Sequence, residues 1–288
     1  MDYVLKAAVT ASLVALVMFA ARRWGGNMAG LLAGLPLTTV PALAWIGLER
    51  GAAVAAQVSI GSVVGCSLAP IFALVYDRVA RRLSPAATLV VGIAVLSAGV
   101  GVASQLESSL WLASTLAPLL GVAALTLMGG RIAHAPATTL GPRFVLAISA
   151  MSAALVSVVL SLVAVDIGPR LAGVLTALPI VGIVTVAAEH AGGGPAAVTT
   201  FLRGYVTSSL GRSAFGAVFA TCALSHGIAA AMCAALGTSV ALCIVAHRIA
   251  RRCATGHPVA ATSACQGACR KDSRAAMSIS RLEPRSLK

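Results

Sequence analysis

The chain has 288 residues, of which 59% are hydrophobic and only 10% are charged, and its mean hydropathy is +0.95. A soluble domain of this size has too little interior to bury so many apolar side chains, whereas a helix crosses a bilayer with about 20 apolar residues. The net charge of +13 does not indicate a nucleic-acid partner, because 9 of the 21 Lys and Arg residues follow His247 in a polar tail. The composition therefore predicts an integral membrane protein in contact with lipid.

The apolar runs predict an all-α fold, a polytopic transmembrane helical bundle of about nine spans. A β-barrel is a poor alternative, because the runs lack its two-residue alternation and are rich in Ala, Leu and Gly. Charged residues, Gly and Pro separate the runs. The predicted spans are 4–21, 28–48, 53–76, 84–103, 109–129, 144–165, 171–188, 197–222 and 227–247.

Two predicted spans contain proline within an otherwise helical run. Residues 29–45 read AGLLAGLPLTTVPALAW and residues 172–188 read AGVLTALPIVGIVTVAA, so the first proline has the same place in both. Proline removes one helix hydrogen bond and crowds the carbonyl four residues before it, which predicts free carbonyls at Leu32 and Leu175. The prolines and nearby hydroxyls that become candidates for lining a site are Pro36, Thr38, Thr39, Pro41, Thr176, Pro179 and Thr185.

Two interpretations of these breaks stay open. Each could be a structural kink packed against a neighbouring helix, or the freed backbone could line a wet cavity and contact a substrate or ion. Small residues near the breaks predict close helix packing, since they recur on one face at spacings that let two backbones approach. These candidate packing residues are Gly26, Gly30, Gly34, Gly61, Gly65, Gly173, Ala177 and Gly204.

The two proline stretches belong to a longer internal repeat. One constant shift of the sequence on itself pairs Gly25 with Gly168, Gly30 with Gly173, Pro36 with Pro179, Gly51 with Gly194 and Gly61 with Gly204, without a gap. This shift, the repeat register, carries spans one to four onto spans six to nine and leaves the fifth unpaired. Because an odd number of crossings separates equivalent points, the two halves are predicted to have opposite orientations, as in the inverted repeats of many transporters.

The repeat divides the chain into a 4+1+4 arrangement. Residues 1–103 are the first four-helix repeat, 104–143 a connector helix and loop, 144–247 the second repeat, and 248–288 a basic, disordered tail. Loop arginines then predict the topology. The connections on the side of the tail carry Arg22, Arg23, Arg78, Arg81, Arg82, Arg131 and Arg143, whereas the other side has only Lys6, Arg50 and Arg170. The positive-inside rule places the chain in the cytoplasmic (inner) membrane with its N-terminus outside and its tail in the cytoplasm.

Arg212 is the one charged residue near the middle of a predicted span. Exposure to lipid at that depth is unfavourable by about 2.5 to 3.5 kcal/mol, so the side chain is expected to face the protein interior. Its partner in the repeat register is Ala69, which makes this charge a feature of one half only. Arg212 either binds freed carbonyls of a broken helix or contacts an anionic substrate.

The sequence does not indicate an enzyme, a cofactor or a metal site. The histidines lie near span ends, in loops or in the tail, and the chain has neither a G-x-S-x-G motif nor a phosphate-binding loop. Cys265 and Cys269 lie in the tail, but a zinc site normally takes four Cys or His ligands in tighter clusters.

The order of features in each half resembles that of the small four-helix GlpM-like bacterial membrane proteins. An apolar helix is followed by A-G-L-x-x-x-x-P, a second apolar stretch, a glycine and two further helices, and the likeness covers residues 4–103 and 147–247. The resemblance implies two fused copies of a family linked to export-type polysaccharide (alginate) production. The residues that carry it are Ala29, Gly30, Leu31, Pro36, Gly51 and Gly61, and again Ala172, Gly173, Pro179, Gly194 and Gly204.

Two functions are therefore expected of this chain. The first is a permease or flippase-like transporter whose site lies between the two proline-broken helices and takes a small anion if Arg212 lines it. The alternative is a non-transporting membrane scaffold that assists envelope or polysaccharide assembly. A wet cleft open to one side indicates the transporter, and a dry, packed cleft indicates the scaffold.

Overall fold

The computed structural model describes residues 3–22, 31–33, 35–105, 109–128, 151, 155 and 167–255. Regular structure in these ranges is helical throughout and includes no strand, which confirms the all-α prediction. Apart from residues 151 and 155, the predicted span 144–165 lies outside the described residues, as does the tail beyond Thr255. The helices are α1 (Tyr3–Arg22), α2 (Thr39–Arg50), α3 (Ala52–Cys66), α4 (Leu68–Val79), α5 (Pro85–Gln105), α6 (Leu110–Leu127), α7 (Pro169–Thr176) and α8 (Ile180–Thr255).

Four helical runs in the described part of the chain are long and apolar enough to cross a membrane. They are Ala52–Val79, Pro85–Gln105, Leu110–Leu127 and Pro169–Ala246. Large apolar side chains such as Trp111, Leu119 and Val90 stay exposed on α5 and α6, where an aqueous protein would carry polar groups. These features are those of a membrane protein. The described residues up to His247 belong to one compact unit.

Glycines in the left-handed region divide the long helix α8. Gly194 has φ 67° and Gly227 has φ 77°, so α8 consists of three helical segments, 180–193, 195–226 and 228–255. Gly51 has φ 86° and separates α2 from α3 in the same way. Since L-residues rarely adopt this conformation, glycine is needed at these turns. Gly51 and Gly194 are partners in the repeat register, so both members of this sequence pair occupy equivalent helix junctions.

Two aromatic pairs anchor the core. The ring centroids of Phe72 and Tyr76 on α4 are 5.5 Å apart, and those of Phe215 and Phe219 on α8 are 6.2 Å apart. All four side chains are fully buried. The repeat register pairs Phe72 with Phe215 and Tyr76 with Phe219, so the same turn of each half carries the same packing device.

The backbones of helices α3 and α7 are in close contact. A methyl group on Gly61 would overlap the Arg170 carbonyl oxygen, and one on Gly173 would overlap the Val58 carbonyl oxygen. A methyl group on Gly65 would lie 2.7 Å from the Val174 carbonyl oxygen. Three of the predicted packing glycines therefore lie where two backbones meet. This contact brings the second proline segment against the middle of α3.

Replacing a glycine at this contact should destabilise the protein. We expect Gly61→Ala and Gly173→Ala each to lower the free energy of unfolding by about 1 to 3 kcal/mol, because the added methyl group forces two backbones apart. Thermal unfolding in detergent measures the change. Gly101→Ala on α5 is the matched control, since a methyl group there meets nothing within 4 Å and helical Ala is favoured over Gly. Equal melting temperatures for all three variants would contradict the packing role.

Candidate functional site

The helix breaks at Pro36 and Pro179 have the same backbone hydrogen bonds. The Leu35 N–H donates to the Leu32 carbonyl at 3.2 Å, and the Leu178 N–H donates to the Leu175 carbonyl at 3.2 Å. Two further backbone hydrogen bonds recur in the repeat register. The Leu37 N–H donates to the Leu35 carbonyl as Ile180 does to Leu178, and the Val40 N–H donates to the Pro36 carbonyl as Ile183 does to Pro179. The two breaks therefore have the same backbone hydrogen-bonding pattern at equivalent positions of the repeat register.

This geometry corrects the prediction about which carbonyls are free. The carbonyls of Leu32 and Leu175 accept from the residue before each proline, in a tightened turn of the 3₁₀ type. At the second break, the carbonyls of Thr176 and Ala177 lie outside the regular hydrogen-bonding pattern of the helix. Both accept hydrogen bonds from side chains elsewhere in the chain. Sequence reasoning failed here because it assumed that the helix stays regular up to the proline.

Pro41 does not break a helix. The chain becomes helical again at Thr39, so Pro41 lies in the first turn of α2, where a backbone N–H has no partner within the helix. The interruption is confined to the residues around Pro36. Pro41 is buried, but it does not line the cavity between the breaks.

The two breaks contact each other directly. The Thr38 hydroxyl donates to the Thr176 carbonyl at 3.3 Å, and the Thr39 hydroxyl donates to the same oxygen at 3.4 Å. Two hydroxyls of the first proline segment therefore share one carbonyl oxygen of the second segment, which is far away in sequence. The two proline-broken segments therefore lie side by side in the described part of the chain.

Arg212 lies at this meeting point and is only 4% exposed, as predicted for a charge that avoids lipid. Its Nη1 donates to the Ala177 carbonyl at 3.1 Å. Its Nη2 donates to the Tyr205 hydroxyl at 3.3 Å, and the guanidinium carbon lies 5.5 Å from the centre of the Tyr205 ring. Arg212 thus ties the middle segment of α8 to the second proline break.

Tyr205 was not among the predicted site residues. It lies two helical turns before Arg212 on the same face of α8 and is fully buried, so its ring and hydroxyl both reach the guanidinium. The spacing of the two residues along the helix was the available signal. The hydroxyls of Thr207 and Ser208, which lie near Arg212 in the sequence, donate to the carbonyls of Arg203 and Tyr205.

A small central cavity lies between the breaks and touches Arg212. Its volume of about 10 Å³ is close to the space that one water needs. The cleft between the proline segments is therefore nearly closed in this conformation. The lining residues are Ala33, Leu35, Leu37, Thr38, Leu178, Pro179, Ile180, Val181, Gly182, Tyr205 and Arg212.

A larger side cavity of about 390 Å³ lies between α3, α5 and the start of α7. Its polar lining consists of Gln57, Ser104, Gln105 and Arg170, and its apolar lining includes Val64 and Val174. The Val174 carbonyl accepts from the Ala177 N–H at 3.2 Å, so this cavity begins one helical turn from the carbonyl that binds Arg212. Gly65, Cys66 and Ala177 pack together at that turn.

A second group of buried polar side chains, the Asp77 cluster, lies where α4 ends. It consists of Tyr76, Asp77, Arg81, His190 and Thr199. Asp77 is 1% exposed, and its carboxylate accepts from Arg81 Nη2 at 2.9 Å and from the Thr199 hydroxyl. The ring of His190 meets that of Tyr76 edge to face, with centroids 6.0 Å apart. Sequence reasoning missed this cluster because each member stands near a predicted span end, where solvated charges are ordinary.

The other predicted residues take structural positions or lie outside the described residues. The hydroxyls of Thr176 and Thr185 donate to carbonyls of their own helices, those of Gly173 and Val181. Pro36 is buried within the first break, and Gly204 is buried within α8. Gly26, Gly30, Gly34, Cys265 and Cys269 lie outside the described residues.

Comparison with protein-family models, with curated proteins and with solved structures gave no match. The resemblance to GlpM-like proteins therefore stays a prediction, and the geometry of the chain itself carries the functional argument.

The Arg212–Tyr205 hydrogen bond should contribute measurably to stability. We expect Tyr205→Phe to lower the free energy of unfolding by about 1.5 to 3 kcal/mol, because a buried guanidinium loses an acceptor. Tyr76→Phe is the matched control: Tyr76 is equally buried, but its hydroxyl has no hydrogen-bond partner, so its loss should leave stability unchanged or raise it. Melting in detergent compares the two. A larger loss for Tyr76→Phe than for Tyr205→Phe would refute this assignment.

Proposed function

We propose that the protein is a permease or flippase-like transporter of the cytoplasmic membrane, with a substrate site at Arg212 between the two proline-broken segments. The observation that carries this proposal is the burial of a guanidinium where both breaks meet, bonded to a carbonyl of one of them. Broken helices with exposed backbone groups at mid-membrane are the usual construction of transporter sites. A charged side chain in such largely apolar surroundings is energetically unfavourable, so its presence there favours a functional role.

The favoured substrate is a small anion. A guanidinium offers five N–H donors in a planar fork that suits carboxylate and phosphate groups. Arg212 uses two nitrogens on a neutral carbonyl and a neutral hydroxyl, both of which an anion could replace with a stronger, charge-assisted bond. The hydroxyl of Thr38 on the opposite break is near enough to the central cavity to orient a bound group.

The fold proposed for this function is a nine-span bundle with an inverted 4+1+4 repeat. The shared hydrogen bonds at the two breaks, the paired glycines at positions 51 and 194, and the paired aromatics on α4 and α8 support it. Each of these pairs keeps the repeat register. In such an arrangement, alternating access consists of rocking one half against the other around a fixed central site.

The side cavity gives the proposed path its second part. Its volume lies within the range of small-molecule sites, and its polar lining includes the cation of Arg170. The proposed topology puts this cavity on the outer side. One packed turn at Gly65, Cys66 and Ala177 lies between it and Arg212, so the conformation described corresponds to a closed state with an outer approach.

The second candidate function is a non-transporting scaffold for envelope or polysaccharide assembly. The small volume of the central cavity and the backbone contact between α3 and α7 favour it, because both indicate a dry, packed centre. In that case the role of Arg212 is to hydrogen-bond the Ala177 carbonyl at the broken helix. The two functions differ in whether anions cross the membrane through this chain.

Flux through the reconstituted protein distinguishes them. With proteoliposomes loaded with carboxylate or phosphate anions, we expect Arg212→Lys to reduce flux about tenfold or more while the protein stays folded, because an ammonium cannot reproduce the planar fork. Arg203→Lys on the same helix segment is the control and should retain flux, since Arg203 is only partly buried and bonds the Leu125 carbonyl. Flux equal to that of empty liposomes for every anion would favour the scaffold.

The inverted repeat predicts that equivalent residues face opposite sides of the membrane. Ala53 and Ala196 are both exposed, follow the paired glycines Gly51 and Gly194 at the same spacing, and are themselves partners in the repeat register. We expect a membrane-impermeant maleimide to label Ala53→Cys in intact cells and Ala196→Cys only after permeabilisation, with labelling of the parent protein as the baseline. Labelling of both from the same side would end the inverted-repeat proposal.

A further inference from the structure

The Asp77 cluster contains two buried polar atoms that lack hydrogen-bond partners. They are the Tyr76 hydroxyl and Nδ1 of His190, and the two side chains are 0% and 6% exposed. A buried polar group without a partner is unfavourable, so its presence calls for an explanation. Simple packing does not supply one, because Phe and Leu would fill the same space without that penalty.

The cluster joins three pieces of the fold. Tyr76 and Asp77 are near the end of α4, His190 is near the end of the first α8 segment, and Thr199 is in the first turns of the second segment. His190 and Thr199 therefore stand on either side of the Gly194 turn. Contacts to Tyr76 and Asp77 hold both sides of that turn against α4.

These contacts differ in how readily they can separate. Arg81 lies one helical turn after Asp77, so this ion pair is local and survives any movement of α4 relative to α8. The Thr199 hydroxyl and the His190 ring come from α8, so separation of the two helices breaks their contacts and leaves the carboxylate paired. Separation of α8 from α4 thus exposes His190 while the Asp77 carboxylate keeps its ion pair with Arg81.

His190 is the group whose charge responds to such opening. In the closed arrangement the neutral ring is favoured, because an imidazolium would add an N–H at Nδ1 with no acceptor and a buried charge. In water an imidazole binds a proton below about pH 6.5. The other charged or titratable side chains in residues 76–82 and 189–203 are Tyr76, Asp77, Arg78, Arg81, Arg82, Glu189 and Arg203.

We propose that the Asp77 cluster is a proton-binding site, at which Nδ1 of His190 takes up a proton from water when α8 separates from α4. The proton comes from the adjoining solution, yields an imidazolium, and returns to solution on closing. The ligand class is therefore the proton itself, and the proposed topology makes it a cytoplasmic one. The role in transport rests on the proposed function, whereas the proton uptake does not.

One helical segment connects the Asp77 cluster to the central cavity. The helical segment 180–193 runs from the Pro179 break to His190, and ten residues of α-helix span about 15 Å. Because that segment starts at the wall of the central cavity, releasing its far end lets the second break move relative to Arg212. Protonation would then favour access from the cytoplasmic side.

The sign of the pH dependence follows from this assignment. The closed arrangement binds no proton at His190, and the open one binds a proton below about pH 6.5, so acid favours opening. At about pH 5.5, one unit below that value, the open fraction should rise about tenfold relative to about pH 7.5. The closed arrangement is fully favoured above about pH 6.5.

Hydrogen–deuterium exchange of the purified full chain tests this directly. After correction for intrinsic exchange, we expect residues 186–200 to lose about tenfold protection between about pH 7.5 and about pH 5.5. His190→Gln, neutral at both values, should abolish the difference. His226→Gln is the control and should keep it, because His226 is exposed and bonds Ser225.

Thr199→Val distinguishes the contact that holds α8 against α4 from the proton site. It removes the bond to Asp77, so it should raise exchange at both pH values while the pH difference persists, which also guards against a His190 variant that fails to fold. A pH difference that survives in His190→Gln would overturn the proposal, as would its absence in the parent. Absence of anion flux in the parent protein with this pH response intact would count against the proposed transport function and leave the proton site standing.

Discussion

The hydrogen bond from Arg212 to the Ala177 carbonyl is the interaction on which the centre of this protein depends. A regular helix uses its own carbonyls, so a buried guanidinium in an apolar bundle finds few acceptors. The break at Pro179 provides them, because the carbonyls of Thr176 and Ala177 leave the helical ladder. The break and the cation thus satisfy each other. Neither would be stable at this depth alone, since an unpaired carbonyl and an unpaired charge are both unfavourable in the interior.

The surrounding packing follows from that arrangement. Glycines at 61, 65 and 173 let α7 lie directly on α3, which brings Ala177 against Gly65. The first break reaches the same place through Thr38 and Thr39. At the other end of the first α8 segment, the Asp77 cluster holds the Gly194 turn against α4. One short helical segment therefore has the arginine site at its start and the buried histidine near its end.

Much of this could be predicted from the sequence, because proline, glycine and intramembrane charge impose strong local constraints. The burial of Arg212, the meeting of the proline segments and the closeness at Gly61 and Gly173 all follow from such constraints. The carbonyls at Leu32 and Leu175 were assigned wrongly, since a tightened turn before each proline satisfies them. Tyr205 was missed although its spacing from Arg212 along α8 was an available signal. Asp77 and His190 were missed because their roles arise from contacts between helices, which no spacing within a single span reveals.

The central claim is that Arg212 binds an anion where the two breaks meet, and anion-dependent thermal stabilisation of the purified protein tests it most directly. A ligand that binds only the folded state raises its stability by an amount that grows with concentration. The account predicts that carboxylate or phosphate compounds raise the melting temperature of the parent and of Arg203→Gln, but not of Arg212→Gln. An anion-dependent rise that persists undiminished in Arg212→Gln would contradict it.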